Sequence, residues 1–84
     1  MASGLIRYWA AAREAAGVPE EPYDATTLAA ALAGARDKHG ERFGKLLLRC
    51  SYLVNDAPVG GRDHLAVELT DGAVIEVLPP FAGG

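Results

Sequence analysis

The segment that most restricts the fold is Ala73-Val74-Ile75-Glu76-Val77-Leu78, a nearly unbroken aliphatic run halted by Pro79-Pro80. Its β-branched residues favour an extended strand, and its hydrophobicity favours burial inside a sheet over a place at the margin. Proline has no N–H to donate to a ladder, so the pair marks where this strand must stop. A buried last strand needs neighbours on both sides and a helix across one face, and the rest of the chain has to supply them.

Leu5-Ile6-Arg7-Tyr8-Trp9 reads as a first strand, and Ala10–Ala16 as a short alanine-rich helix closed by Gly17. Pro19 and Pro22 mark a loop with a short extended piece around Tyr23. Thr26 or Thr27 caps a helix in which Leu28, Leu32, Ala35 and His39 recur at helical spacing, with Gly40 at its end. Phe43, Leu46 and Leu47 place one or two further helical turns within Glu41–Leu48. Tyr52-Leu53-Val54 is extended, Asn55-Asp56-Ala57-Pro58 and Gly60-Gly61-Arg62-Asp63 are loops, and Leu65–Leu69 alternates as a strand. Asp71-Gly72 then predicts a tight turn into the final strand. The order predicts an α+β roll with a mixed sheet, its first and last strands adjacent and parallel and one main helix packed across it.

Eighty-four residues suffice for one domain, read here as residues 1–80 followed by a flexible tail at 81–84. Half of the residues are apolar and 23% are charged, an ordinary globular balance. A net charge of −3, with the arginines and lysines scattered along the sequence, argues against a nucleic-acid partner. No apolar stretch is long enough for a membrane span or a signal peptide, because Arg7, Arg13 and Glu14 interrupt the N-terminal run. The single Cys50 forms no internal disulfide, which suits a reducing compartment and a cytoplasmic location.

The chemistry concentrates in Pro79-Pro80-Phe81-Ala82-Gly83-Gly84. The prolines give a stiff polyproline-type exit, and the four residues beyond span roughly 13–14 Å when extended, enough to carry a carboxylate into a partner's active site. Gly83 and Gly84 lack Cβ atoms and fit a narrow channel, while Phe81 supplies the one large apolar grip. A carboxylate is a poor electrophile, so acyl chemistry at Gly84 needs activation by another protein, for example as an acyl-adenylate. The competing structural reading is a frayed terminus with Phe81 packed back on its own domain.

These residues resemble the MoaD/ThiS-like ubiquitin-related sulfur carriers, and within them the small subunit of molybdopterin synthase, whose members end in Pro-Pro-x-x-Gly-Gly. Ile6-Arg7-Tyr8-Trp9-Ala10-Ala11-Ala12-Arg13-Glu14-Ala15-Ala16-Gly17 is similar to that family's first strand and helix, and Thr26-Thr27-Leu28, Val54-Asn55 and Leu69-Thr70-Asp71-Gly72 fall in the expected order. The resemblance implies a β-grasp fold. It also implies adenylation of Gly84 by an E1-like enzyme using ATP and magnesium, conversion to a thiocarboxylate with a sulfur donor protein, and delivery of sulfur to a pterin precursor in the molybdopterin synthase large subunit. The carrier itself would bind no cofactor and supply no catalytic side chain. Ala73 departs from the pattern, since the family often has an acidic residue there, which bears on the turn or on a partner contact.

Cys50 has no histidine or carboxylate beside it in sequence and reads as a small buried residue. His39 and His64 are far apart, without a ligand at metal spacing, and read as surface or cap residues. Gly60-Gly61 lacks the Lys-Ser/Thr of a phosphate loop. Two further functions stay open: a carrier for thiamin, cysteine or tRNA thiolation or a protein modifier, and, in another class, a non-catalytic interaction module.

Overall fold

In the computed structural model, which describes residues 2–80, β5 (Val74–Leu78) is the middle strand of a five-stranded sheet ordered β2-β1-β5-β3-β4. Its neighbours are β1 (Ser3–Tyr8), parallel to it with Ile6 opposite Ile75, and β3 (Ser51–Val54), antiparallel with Tyr52 opposite Val77. The outer strands are β2 (Glu20–Asp24) against β1 and the two-residue β4 (Ala57–Pro58) against β3. The expected burial of the last strand, parallel to the first, is therefore met.

Among the described residues, helices cover one face of the sheet only. α2 (Leu28–His39) is capped at Thr27, whose hydroxyl accepts from the Ala30 N–H at 3.1 Å, and it ends at Gly40. α1 (Ala10–Ala16) ends at Gly17, whose φ of 79° is the left-handed conformation a glycine adopts without a Cβ penalty. α3 (Glu41–Leu47) completes the layer. Ile6, Leu28, Phe43, Ile75 and Val77 are fully buried between helices and sheet, each worth roughly 1.5–3 kcal/mol of transfer free energy.

Three expectations need correction. The extended piece near Tyr23 is a full strand, which tolerates Pro22 because β2 lies at the sheet edge. Trp9 lies beyond β1, which ends at Tyr8, and is the N-cap residue of α1. Leu65–Leu69 is no strand: Asp63 accepts from the Leu65 N–H at 3.0 Å and caps a 3-10 turn over His64–Ala66. Val67 and Leu69 then bury their side chains and hydrogen-bond across the start of α2 through Leu28 and Thr26. The alternation was real, but it served the edge of the core and not a ladder.

The turn at Asp71-Gly72 consequently does not close a hairpin. It is fastened to β1: Asp71 Oδ1 accepts from the Ser3 N–H at 3.0 Å, and the Gly72 N–H donates to the Ser3 carbonyl at 2.6 Å. Ala73 is buried, and its carbonyl accepts from the Tyr23 hydroxyl at 2.8 Å, so its side chain offers no partner contact.

Both sheet edges are blunted by proline. Paired residues alternate between bonded and non-bonded positions along an antiparallel ladder. The Tyr8 N–H to the Pro19 carbonyl and the Ala25 N–H to the Ala2 carbonyl fix that alternation, leaving Pro22 opposite Leu5 at a non-bonded position. Its missing N–H is therefore on the open side of β2. At the other edge, the Val59 N–H bonds the Tyr52 carbonyl, which puts Pro58 outward in the same way, and Arg62 caps the Pro58 carbonyl at 3.3 Å.

Candidate functional site

The end of β5 is the anchor from which the tail begins. Leu78 pairs with Ser51 on one side, and the Trp9 N–H donates to the Val77 carbonyl at 3.2 Å on the other. Pro79 is half-buried and Pro80 exposed, so the chain leaves the sheet at a point clamped on both flanks. Of the sequence-predicted site residues the structure places these two prolines; Phe81, Ala82, Gly83 and Gly84 lie outside the described residues.

Trp9 is the residue that sequence reasoning missed. Ala10 takes a φ of 47°, unusual for a residue with a Cβ and costing on the order of 1–2 kcal/mol. The chain thus turns immediately after Trp9, whose side chain stays 48% exposed, with its indole N–H donating to Glu76 Oε1 at 3.2 Å. The signal was available: Ile6 and Tyr8 point to the core, so period-two alternation puts Trp9 on the opposite, open side. Leu5, Leu53, Val74 and Leu78, all half-buried, share that helix-free face with Glu76. Arg7 and Glu20, 3.5 Å apart, form its charged border. The arrangement is a shallow apolar surface beside the tail root, suited to binding a partner.

On the helical side, Glu21 is buried and anchors a polar cluster. Lys38 approaches its Oε1 at 2.8 Å, while the Tyr8 hydroxyl and His39 Nε2 both meet Oε2. Burial would raise the Glu21 carboxyl, but Lys38, Tyr8 and His39 together outweigh it and hold the group below its ordinary value. Burial and the adjoining carboxylate push the Tyr8 phenol up, which keeps it a donor. His39, expected at the surface, is therefore a packed residue, with its ring 5.9 Å from Tyr8 and 5.0 Å from Phe43. His64 stands edge-on to Tyr52 at 5.1 Å.

Cys50 donates its S–H to the Leu46 carbonyl at 3.3 Å, and burial pushes the thiol up, away from the thiolate a nucleophile needs. Among the described residues, no three His, Cys, Asp or Glu side chains gather where they could hold a metal ion, and no helix is long and apolar enough to cross a membrane.

Comparison with known proteins then decides the family, because the ThiS family profile matches residues 6–84. The chain belongs to the ThiS family. It is a MoaD/ThiS-like sulfur carrier with the ubiquitin-like β-grasp fold. Small archaeal modifier protein 1 from Methanosarcina acetivorans is 26% identical over 100% of this chain and 98% of its own, with a TM-score of 0.84. Subunit 1 or 2 of the molybdopterin-converting factor complex from Helicobacter pylori matches at 27% identity over 98% and 99% of the two chains, with a TM-score of 0.69. Small archaeal modifier protein 1 from Haloferax volcanii, 22% identical over 98% and 99% with a TM-score of 0.76, shares the fold. A search of curated proteins finds no match.

Proposed function

We propose that this ThiS-family protein carries sulfur on the C-terminal carboxyl of Gly84 and donates it in molybdopterin synthesis. The observation that carries the reading is the clamped end of β5, where Leu78, Ser51 and Trp9 fix the exit through Pro79-Pro80 to the tail at 81–84. In this reading the Gly84 carboxylate attacks the α-phosphate of ATP on an E1-like enzyme, with magnesium, and pyrophosphate leaves. A sulfur donor protein then presents a persulfide whose terminal sulfur displaces AMP to give an acyl disulfide, and a second thiol cleaves the S–S bond, leaving the Gly84 thiocarboxylate and a disulfide on the donor side. Gly83 admits the chain to both active sites, Phe81 and Ala82 line the contact, and the open sheet face beside Trp9 docks the molybdopterin synthase large subunit. All of this takes place in the cytoplasm. The family membership and the 27% identity to a chain of a molybdopterin-converting factor complex support the pathway.

The likeness to a small archaeal modifier protein favours a second reading, in which activated Gly84 is joined to amines of other proteins. Intact-mass spectrometry separates the two. After incubation with an E1-like enzyme, ATP, magnesium and a sulfur donor, the carrier gains the mass of sulfur exchanged for oxygen at Gly84. Adding the large subunit and a pterin precursor should restore the carboxylate and yield molybdopterin. Thiocarboxylate that persists there, with conjugates forming in a lysate, would decide for the modifier. An unchanged mass would leave only a non-catalytic interaction module.

A further inference from the structure

The helical layer bears a positive charge that the tail chemistry does not use. Arg36, Lys38, Arg42, Lys45 and Arg49 face only Asp37 and Glu41 within residues 36–49, a local excess of three positive charges in a chain of net charge −3. These cations are already close in sequence, and the end of α2, α3 and the turn after it place all five on the helical layer. Glu21 engages Lys38, and Glu41 reaches Lys45 only at 4.0 Å. Arg36, Arg42 and Arg49 meet no carboxylate among the described residues.

Of these cations Arg36 lines a groove of about 270 Å³ between α2 and the chain that follows α3, and Arg49 falls in sequence between the lining residues Leu48 and Cys50. Leu32 and Ala33 form one wall, and Leu47, Leu48 and Tyr52 the other. Leu48 is 82% exposed and lies against the apolar lining of the groove, so the two together present a contiguous apolar patch. Arg36 stands at the rim, and its stem lies over Gly44, where an added Cβ would meet it at 2.7 Å. The absent side chain at Gly44 therefore lets the guanidinium rest against the groove.

We infer that this groove docks an acidic segment of a partner protein, which inserts one large apolar side chain against Leu48 and Leu32 and sets its carboxylates on Arg36 and Arg49. Charge complementarity selects an acidic partner, and the exposed leucine selects a polypeptide over a nucleic acid, whose phosphates need cations alone. The groove lies on the face opposite the open side of the sheet, so this partner and one docked beside Trp9 can be held together.

The test titrates isotope-labelled full-length protein with a synthetic peptide in which glutamates and aspartates flank a central Leu-Phe pair. Two control peptides replace the acids by lysine or the Leu-Phe pair by alanine, and an oligouridylate replaces the peptide altogether. The proposal expects saturable amide shifts confined to residues 29–36, 47–52 and His64, and weaker binding by both control peptides. Arg36→Glu combined with Leu48→Ser, both at exposed positions, should weaken binding roughly tenfold or more, as expected for a contact centred on an apolar anchor and its cation. Arg49→Glu provides a second variant should that pair unfold the domain. Equal binding of the lysine peptide or the oligouridylate, shifts on the sheet face, indifference to both variants, or no binding would each overturn it.

Discussion

The Trp9 indole N–H and the Glu76 carboxylate, 67 positions apart in sequence, meet at 3.2 Å on the open side of the sheet. The bond holds a half-exposed aromatic beside the point where the tail leaves β5, the kind of preorganised side chain that dominates protein interfaces. Replacing Trp9 by alanine should cost less than about 1 kcal/mol of stability, because little of the ring is in the core. Affinity for the large subunit should fall roughly tenfold or more. Trp9 is the sole tryptophan, so its emission should shift as the partner binds. Unchanged affinity by calorimetry in Trp9→Ala would remove the sheet face from the interface.

Two glycines should respond to alanine with opposite signs. A Cβ at Gly4 would lie 2.1 Å from the Ala73 carbonyl oxygen and 2.7 Å from the Tyr23 hydroxyl, and the first of these is backbone that leads directly into β5. Gly4→Ala should therefore destabilise by about 2–4 kcal/mol, as forced repacking of a close contact does. At Gly34, inside α2, an added Cβ would meet nothing within 4 Å, and alanine there should stabilise by about 0.5–1 kcal/mol. Urea unfolding of the two variants checks both signs, and a neutral Gly4→Ala would contradict the close approach of β1 to Ala73.

Glu21 gives the fold an acid-sensitive support. Its carboxyl is held below the ordinary value of 4.5 in the folded chain, so the unfolded chain binds more protons wherever the two states differ. Stability is then fully present above the ordinary carboxylate range and is lost as pH falls through the lower, folded value. Glu21→Gln keeps the shape but not the charge, and should cost about 1–3 kcal/mol at pH 7 while flattening the loss on acidification. Denaturant midpoints measured from pH 7 to pH 3 should converge for the two proteins; parallel curves would mean that other carboxylates govern the acid limb.

How much of this was legible in the sequence follows from how local each signal is. The place of β5 could be read because its apolar run and Pro79-Pro80 are contiguous, and α1 ends at Gly17 and α2 runs from Thr27 to Gly40, as their capping residues indicate. Leu65–Leu69 misled because its alternation suits a strand and a core-edge segment equally, and the choice fell to Asp63 and to bonds with Thr26 and Leu28. The clasp between Ser3 and Asp71 spans 68 positions and leaves no local mark. At the site, the prolines and glycines were plain as residue types. Period-two alternation is enough to put Trp9 on the open side, but how it is held there depends on the backbone turn at Ala10 and on distant Glu76, neither of which the pattern of apolar residues encodes.

The edge prolines make a prediction about self-association. Pro22 and Pro58 each present the open side of an outer strand without an N–H, so a second chain pairing there would lose a ladder bond at each edge. Pro22→Val and Pro58→Val restore those donors with side chains that favour extended backbone, and each regained bond is worth about 0.5–1.5 kcal/mol to an added strand. Both prolines are exposed, so the core should keep its packing and circular dichroism should match the parent in dilute solution. Sedimentation velocity over a concentration series should show the doubly substituted protein associating at lower concentration than the parent. The single variants should fall between, because each leaves one edge blunted. Should the double variant sediment as the parent does at every concentration, edge protection must come from something other than the prolines, with the acidic side chains of Glu20 and Asp24 on β2 the next to be neutralised.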